Sequence, residues 1–172
     1  ILGAGGIGFD TAEYLLEPGR RAPDGAAFHA EHGIAIASDL PGGFDRGRRV
    51  EPRPARRIVM LQRTPGRLGR TLSITTDWIK RERLERAGVE TIAGASYERI
   101  DDAGLHVVVD CAPRLIDADT IVLCTGQESE NGLAGELERA GLRYTAIGGA
   151  KLAVELDAMR AIDEATRLAV GF

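Results

Sequence analysis

The chain has 172 residues, of which 44% are hydrophobic, and it carries a formal net charge of -4 at pH 7. This length can bury one full domain plus part of another, and the acidic balance argues against general nucleic-acid binding. Neither a run of roughly 18 apolar residues nor a basic leader with an apolar core occurs, so the sequence predicts no membrane partner and no secretion.

The chain opens on a glycine-rich motif. Residues 1–8 read ILGAGGIG, which fits the pattern G-x-G-x-x-G directly after two apolar residues. In such a motif Gly3 allows a tight turn from strand to helix, Gly5 leaves room for a pyrophosphate, and Gly8 lets the helix pack closely on the strand. A glycine-rich turn without a ligand is the alternative. The order of strand, turn and helix favours a nucleotide site, whose predicted residues are Gly3, Gly5, Gly6, Ile7 and Gly8.

The first strand is short and the first helix is followed by a long interval. Only Ile1 and Leu2 precede the first glycine, whereas a buried parallel strand usually has around five residues. We therefore expect the chain to begin inside a strand, as part of a longer polypeptide. The helix is expected to stop at Pro18-Gly19. Residues 18–56, rich in Pro, Gly and Arg, are predicted to be an insertion before the second strand.

Basic residues are concentrated at the end of this insertion and beyond it. Nine arginines lie between positions 46 and 70, with Asp45 just before them and Glu51 among them. Most are expected to be solvated, and the alternative is an anion site. His29 and His32 form the spacing H-x-x-H, which without a third ligand predicts surface histidines rather than a zinc site.

Residues 57–62 (RIVMLQ) predict a buried strand that ends at an arginine. Arg63 stands where dinucleotide folds often carry an acid that binds the adenosine ribose. Its guanidinium can pair with a 2'-phosphate, which favours NADPH over NADH. Arg67 and Arg70 follow in a glycine-bearing loop and could approach the same phosphate. Gln62, Arg63 and Arg70 therefore join the predicted cofactor-binding residues.

The middle of the chain continues the alternation of helix and strand. Residues 76–86 predict a second helix, in which Trp78 is interpreted as a packing residue rather than a nicotinamide platform. Residues 89–93 predict a third strand, and 96–110 an antiparallel hairpin around the turn DDAG. His106 in that hairpin is interpreted as structural.

The next predicted strand, at residues 120–124, is buried and ends near Gly126 and Gln127, where a glycine would let the backbone approach a nucleotide. Cys111 and Cys124 are expected in apolar, strand-like surroundings and form no C-x-x-C pair, which argues against a disulfide or a metal cluster and favours a reducing cytoplasm. The last section predicts a short strand at 144–147, a glycine turn and a helix within 154–169, which we assign to a neighbouring lobe.

Together these elements predict an α/β fold, a Rossmann-like three-layer nucleotide-binding domain with a parallel sheet and an antiparallel hairpin or meander. Five motifs also resemble one known family. They are GAGGIGFD at 3–10, IVMLQR at 58–63, DDAGLHVV at 101–108, CTGQE at 124–128, and ELDA at 155–158 leading into RAI at 160–162. The sequence is thereby similar to the bacterial NADPH-dependent 2,4-dienoyl-CoA reductases and to the related trimethylamine dehydrogenase group of flavoproteins.

The resemblance implies a three-part oxidoreductase of fatty-acid β-oxidation. An amino-terminal TIM barrel would hold FMN, a 4Fe-4S cluster and the catalytic acid, and a carboxyl-terminal half would bind FAD with an NADPH domain inserted into it. Hydride would pass from NADPH to FAD, and electrons would move through the cluster to FMN, which reduces an enoyl-CoA. Residues 1–143 would be the NADPH domain, and 144–172 the closing segment of the FAD lobe. The residues expected against the flavin are Gly148, Gly149, Leu156 and Asp157.

This resemblance places no catalytic residue and no metal ligand in the chain, so the fragment alone is not expected to be active. Its partners would be NADPH and the rest of the same polypeptide. Two alternatives stay open. The opening glycine motif could bind FAD, although Arg63 speaks against this because flavin motifs usually have an acid there. The chain could also be a non-catalytic module that binds ADP or NADP, as in a trimethylamine dehydrogenase-like flavoprotein.

Overall fold

The computed structural model describes residues 1–16, 24–36, 39–51, 53–70, 72, 75, 77–154 and 156–171. The chain divides into two compact units, Ile1–Thr125 and Gly126–Phe172. A helix at Gly132–Arg139 belongs to the second of these compact units. The domain boundary that the sequence predicted after residue 143 stays a prediction.

A parallel sheet lies at the centre of the first unit. Its strands β1 (Val59–Leu61) and β2 (Glu90–Ile92) pair in parallel, where the sequence predicted two strands. The first residues of the chain extend this sheet beyond β1. The Leu61 N–H donates to the Ile1 carbonyl at 2.9 Å, and the Gly3 N–H donates to the Leu61 carbonyl at 2.8 Å.

The opposite side of this first segment pairs with residues 122–124. The Leu2 N–H donates to the Val122 carbonyl at 2.8 Å, and the Cys124 N–H donates to the Leu2 carbonyl at 2.7 Å. The sheet order is therefore β2, β1, residues 1–3 and residues 122–124. The first segment thus has a neighbouring strand on each side, and the order of the strands reverses at this point. In open α/β sheets a crevice lies at such a point, outside the carboxyl ends of the strands.

The buried strand predicted at 120–124 is only partly present. Leu123 forms a single parallel bridge with Leu2, and its side chain is 65% exposed. Within the described part of the chain this segment pairs on one side only. Apolar side chains of an edge strand are less covered than those of an inner strand. An apolar run in the sequence does not distinguish an edge strand from an inner one.

Helix α1 (Gly6–Leu16) follows the glycine turn, and its predicted stop at Pro18-Gly19 lies outside the described residues. The insertion contains helix α2 (Gly25–His32), which the sequence did not predict. The Asp24 carboxylate caps α2 by accepting a backbone N–H at 2.7 Å, and Gly33 ends the helix in the left-handed conformation. Helix α2 has one large apolar side chain in eight residues, so its sequence shows no repeat of apolar residues at helical spacing.

The two histidines of α2, which the sequence predicted to be surface residues, are partly exposed. The His32 ring stacks on the Phe28 ring with centroids 4.2 Å apart. Its Nδ1 also lies 2.9 Å from the Phe28 carbonyl oxygen. His32 therefore has a packing role within the insertion.

Helix α3 (Asp77–Arg86) begins one residue after the predicted start of the second helix and ends at the predicted residue. Leu84 is its buried residue, whereas Trp78 is 59% exposed, so the prediction that Trp78 is a packing residue was wrong. A short helix with so many charged residues needs contacts beyond its own apolar face. Ion pairs with α1 join Lys80 to Asp10 and Arg83 to Glu13.

A further ion pair connects the insertion to α3. The Arg49 Nη2 donates to Glu82 Oε1 at 2.5 Å. This hydrogen bond lowers the pKa of the Glu82 carboxyl below its usual value of 4.5. A carboxyl whose pKa is lowered by folding stabilises the protein above its unfolded pKa, and this contribution is lost as the pH falls through the folded pKa.

We therefore expect Glu82→Gln to lower the free energy of unfolding by less than about 1 kcal/mol at neutral pH, because the Glu82 side chain is 45% exposed. Below pH 4.5 the difference between the variant and the wild type should shrink, because the wild-type carboxyl becomes protonated. Urea unfolding at several pH values measures both. A loss of the same size at every pH would contradict an ionic origin of the stabilisation.

An antiparallel sheet follows β2. Its strands are β3 (Ser96–Asp101), β4 (Gly104–Val109) and β5 (Ala112–Ile116), in that order, so the predicted hairpin is confirmed and β5 extends it to a meander. Asp110 and Cys111 form the turn into β5 with φ values of 51° and 63°. Cys111 is thus an exposed turn residue and not a strand residue as predicted.

The side chains of the parallel sheet alternate between two buried clusters. Leu2, Val59, Leu61 and Ile92 pack with residues of β4 and β5 on one face. On the other face, Ala4, Ile58 and Met60 pack with residues of α1 and α3. Helices, parallel sheet and antiparallel sheet therefore form three layers, which confirms the predicted fold class.

The second unit contains α4 (Gly132–Arg139), α5 (Gly148–Lys151) and α6 (Ala158–Val170). Residues 144–147 form no strand in the described structure, so the short strand predicted there was wrong. Helix α6 begins at residue 158 rather than near 154, because the Asp157 carboxylate caps it by accepting the Arg160 N–H at 2.7 Å. Among the described residues, no helix has the length and apolar character needed to cross a bilayer.

Candidate functional site

A cleft of about 500 Å³ opens in the first unit where the sheet order reverses. It lies at the carboxyl ends of the first segment, of β1 and of residues 122–124, which is where open α/β sheets bind their ligands. The lining residues are Gly3, Ala4, Gly5, Gln62, Arg63, Thr64, Arg70, Tyr97, Cys124 and Thr125.

The glycines of the opening motif have different surroundings. A Cβ atom on Gly3 would lie 2.0 Å from the Cys124 carbonyl oxygen, and the Gly3 φ of 107° disfavours any side chain. A Cβ on Gly8 would lie 2.1 Å from the Gly3 carbonyl oxygen, so this glycine permits the close approach of α1 to the first segment. A Cβ on Gly5 would meet no atom within 4 Å and would point into free space.

These surroundings fit a bound dinucleotide. The space at Gly5 lies in the cleft, at the start of α1, where a helix presents N–H groups that have no partner within the helix. Gly6 and Ile7 are the first two helical residues, and Ile7 is 52% exposed. A pyrophosphate would therefore find both room and donors beside Gly5.

The second wall of the cleft is the loop that follows β1. The Gln62 side-chain amide donates to the Thr64 carbonyl at 2.8 Å and to the Gly66 carbonyl at 3.2 Å, which fixes the shape of this loop. Arg63 and Arg70 both line the cleft and are exposed. The structure thus brings two guanidinium groups to the cavity that also contains the open side of Gly5.

Other arginines of the basic segment serve the scaffold. Arg49 pairs with Glu82, and the Arg57 Nη2 lies 3.7 Å from Glu90 Oε2. The Arg56 Nη1 donates to the Leu15 carbonyl at 3.1 Å. The segment between positions 46 and 70 therefore contains arginines with structural contacts, which the sequence did not predict, and two arginines that line the cleft, Arg63 and Arg70. An anion site at these two residues stays a prediction.

Tyr97 lines the same cleft, and the sequence analysis did not select it. Burial raises the pKa of its phenol, and the charge of Arg63, which lines the same cleft, opposes this rise. A signal was present in the order of the strands, because the residues that follow β1 and β2 must lie side by side in a parallel pair. Tyr97 follows β2 closely, as Arg63 follows β1.

The remaining predicted site residues belong to the second unit. Gly126 has a φ of 138° and is exposed, as is Gln127. Gly148 begins α5, and its N–H donates to Glu164 Oε2 at 2.8 Å. The other three are Gly149, Leu156 and the helix cap Asp157. The assignment of these residues to cofactor contacts stays a prediction.

Two comparisons with known proteins agree with this architecture. The family model for pyridine nucleotide-disulphide oxidoreductases matches residues 1–158. A solved structure described as a 2-naphthoyl-CoA reductase in complex with 2-naphthoyl-CoA is similar over 99% of this chain, with a TM-score of 0.67 and 16% sequence identity. This chain spans 20% of the length of that protein's chain. At this level of identity the likeness shows a shared fold.

Proposed function

This chain belongs to the pyridine nucleotide-disulphide oxidoreductase family, and on that premise we propose that it is the NADPH-binding part of a cytoplasmic, flavin-dependent oxidoreductase. Its substrate would be an enoyl-CoA thioester such as 2,4-dienoyl-CoA. The observation that carries the choice of nucleotide is the position of Arg63, at the end of β1 and in the cleft that contains the open side of Gly5.

Each part of the cleft would have a distinct task. The start of α1 would hold the pyrophosphate beside Gly5, and Arg63 would form a charge-assisted pair with the adenosine 2'-phosphate. Arg70 would add a second positive charge to the same wall. When bound, NADPH would supply a hydride for the reduction of FAD. The chain itself would bind and orient the nucleotide, and we assign it no catalytic residue.

The proposal extends to the rest of the polypeptide. Gly126, Gln127, Gly148, Gly149, Leu156 and Asp157 would contribute cofactor contacts from the second unit. FMN and a 4Fe-4S cluster would belong to a TIM barrel outside this chain. The length of the naphthoyl-CoA reductase chain, of which this chain spans 20%, supports an arrangement with further domains.

Substitution of Arg63 tests the choice of nucleotide. We expect Arg63→Gln in the full-length protein to weaken NADPH binding roughly tenfold to hundredfold, because hydrogen-bonded charge pairs contribute about 1.5–3 kcal/mol. Binding of NADH, which lacks the 2'-phosphate, should change little. Isothermal titration calorimetry with both nucleotides measures this difference.

Arg48→Gln is the matched control, because Arg48 belongs to the same basic segment and its side chain is 72% exposed. It should leave both affinities unchanged. Equal affinity of the wild type for NADH and NADPH would contradict the proposal. Stopped-flow absorbance tests the oxidoreductase part, because NADPH that binds without bleaching the flavin would indicate a non-catalytic nucleotide module.

A further inference from the structure

Tyr97 lines the cleft together with Arg63. The segment after β2 is held against the loop after β1, because the Ala95 N–H donates to the Gln62 carbonyl at 3.0 Å and the Gly94 N–H donates to the Thr64 carbonyl at 3.2 Å. Tyr97 follows two residues later. It is therefore close along the chain to the segment that contacts the loop after β1, and it lines the same cleft as Arg63.

The backbone and the core fix the direction of this side chain. Tyr97 is paired with Val107 in the antiparallel sheet, and the register shifts between Tyr97 and Arg99. Such a bulge re-aims side chains and is common next to binding sites. The ring also packs against the buried cluster that contains Val107 and Leu105. One part of the ring is thus supported by the core, while another part borders the cleft.

Tyr97 is the sole aromatic residue among the described residues that line the cleft. Arg63, in the same cleft, is the residue we assign to the 2'-phosphate. The ribose that carries this phosphate also carries adenine, so a group beside Arg63 is within reach of the base. An aromatic ring that is already ordered can offer a flat apolar face to a purine at little cost in side-chain entropy.

We propose that the Tyr97 ring is the surface on which the adenine of NADPH stacks, so that Tyr97 and Arg63 together recognise the phosphorylated adenosine. This inference rests on the proposed function. It adds a specificity-determining residue from the antiparallel sheet to a site whose other predicted residues follow the parallel strands and the glycine turn. Burial raises the pKa of Tyr97, which keeps the phenol neutral at physiological pH and agrees with a stacking role.

The test uses the full-length protein and two halves of the ligand, adenosine 2',5'-bisphosphate and reduced nicotinamide mononucleotide. Stacking on an aromatic residue contributes enough that Tyr97→Ala should weaken NADPH and the bisphosphate by the same factor, about tenfold. Tyr97→Phe should retain affinity within about twofold, because it keeps the ring. Binding of the mononucleotide should not change in either variant.

Two further variants separate stacking from packing. Tyr97→Leu keeps an apolar side chain against the core but removes the ring, and it should reduce the fluorescence quenching of an ethenoadenine analogue of NADPH. Tyr14→Ala is the matched control, because Tyr14 lies on α1 with 67% of its surface exposed. It should change neither binding nor quenching.

The outcomes distinguish this inference from the proposed function. A wild type that fails to bind the bisphosphate would contradict the proposed function. Binding that depends on Arg63 but is unchanged in Tyr97→Ala and Tyr97→Leu would overturn only the stacking role. A Tyr97→Phe variant as weak as Tyr97→Ala would also overturn it, because the hydroxyl and not the ring would then carry the effect.

Discussion

Gly5→Ala should weaken NADPH binding roughly hundredfold, equivalent to about 2.7 kcal/mol, while the protein stays folded. The structure separates these two effects, because a Cβ at Gly5 would meet no protein atom within 4 Å. The added methyl group would instead occupy the space where the pyrophosphate must approach the start of α1. Calorimetry with NADPH measures the affinity, and a thermal melt of the same sample measures the fold.

Gly25→Ala provides the control for this prediction. Gly25 also begins a helix, α2, and a Cβ there would meet no atom within 4 Å. The control lies outside the residues that line the cleft. Nucleotide binding should therefore remain at the wild-type value. If Gly5→Ala bound NADPH as tightly as this control, the pyrophosphate could not lie beside Gly5.

Gly3→Ala, unlike Gly5→Ala, should act on the fold, and it should lower the free energy of unfolding by more than about 3 kcal/mol. A methyl group on Gly3 would overlap the Cys124 carbonyl oxygen at 2.0 Å, and the φ of 107° would add backbone strain. Backbone atoms cannot move aside as a flexible side chain can, so the pairing between the first segment and residues 122–124 should be lost. Urea unfolding followed by circular dichroism measures the change.

Gly8→Ala gives an independent measurement of the same packing. Its added Cβ would lie 2.1 Å from the Gly3 carbonyl oxygen. Because Gly8 is helical, this steric overlap would destabilise the protein without added backbone strain. This variant should also be destabilised, and added NADPH should restore part of the lost stability only if the cleft survives. Unchanged unfolding midpoints in both variants would contradict the close packing of turn, helix and strand.

The glycine motif, the strands β1 and β2 and the first hairpin could be predicted because their signals are local. The turn at Gly3 and the spacing from Gly3 to Gly8 lie within the first eight residues of the sequence. The apolar runs around β1 and β2 are bounded by turn residues. Arg63 could be placed because it directly follows such a run. These elements depend on short-range geometry that sequence patterns record.

Other features depend on contacts that sequence patterns do not record. The turn at Asp110 and Cys111 adopts positive φ values without a glycine, so β5 gave no recognisable hairpin signal. Trp78 lies on a helix whose buried face is narrow, and its size alone suggested burial. Tyr97 reaches the cleft because the antiparallel sheet packs against the parallel sheet, a contact between distant parts of the chain that no local pattern records. Each of these requires knowledge of the tertiary neighbours.

The pairing of residues 1–3 on both sides has a consequence for the order of folding. Leu2 bridges Leu61 on one side and Leu123 on the other, so the sheet joins parts of the chain that are far apart in sequence. Contacts of this kind raise the contact order and slow folding. During synthesis, the first segment cannot pair with residues 122–124 until these residues have left the ribosome. We therefore expect nucleotide binding to arise late in folding, after the antiparallel meander has formed from its own neighbouring strands.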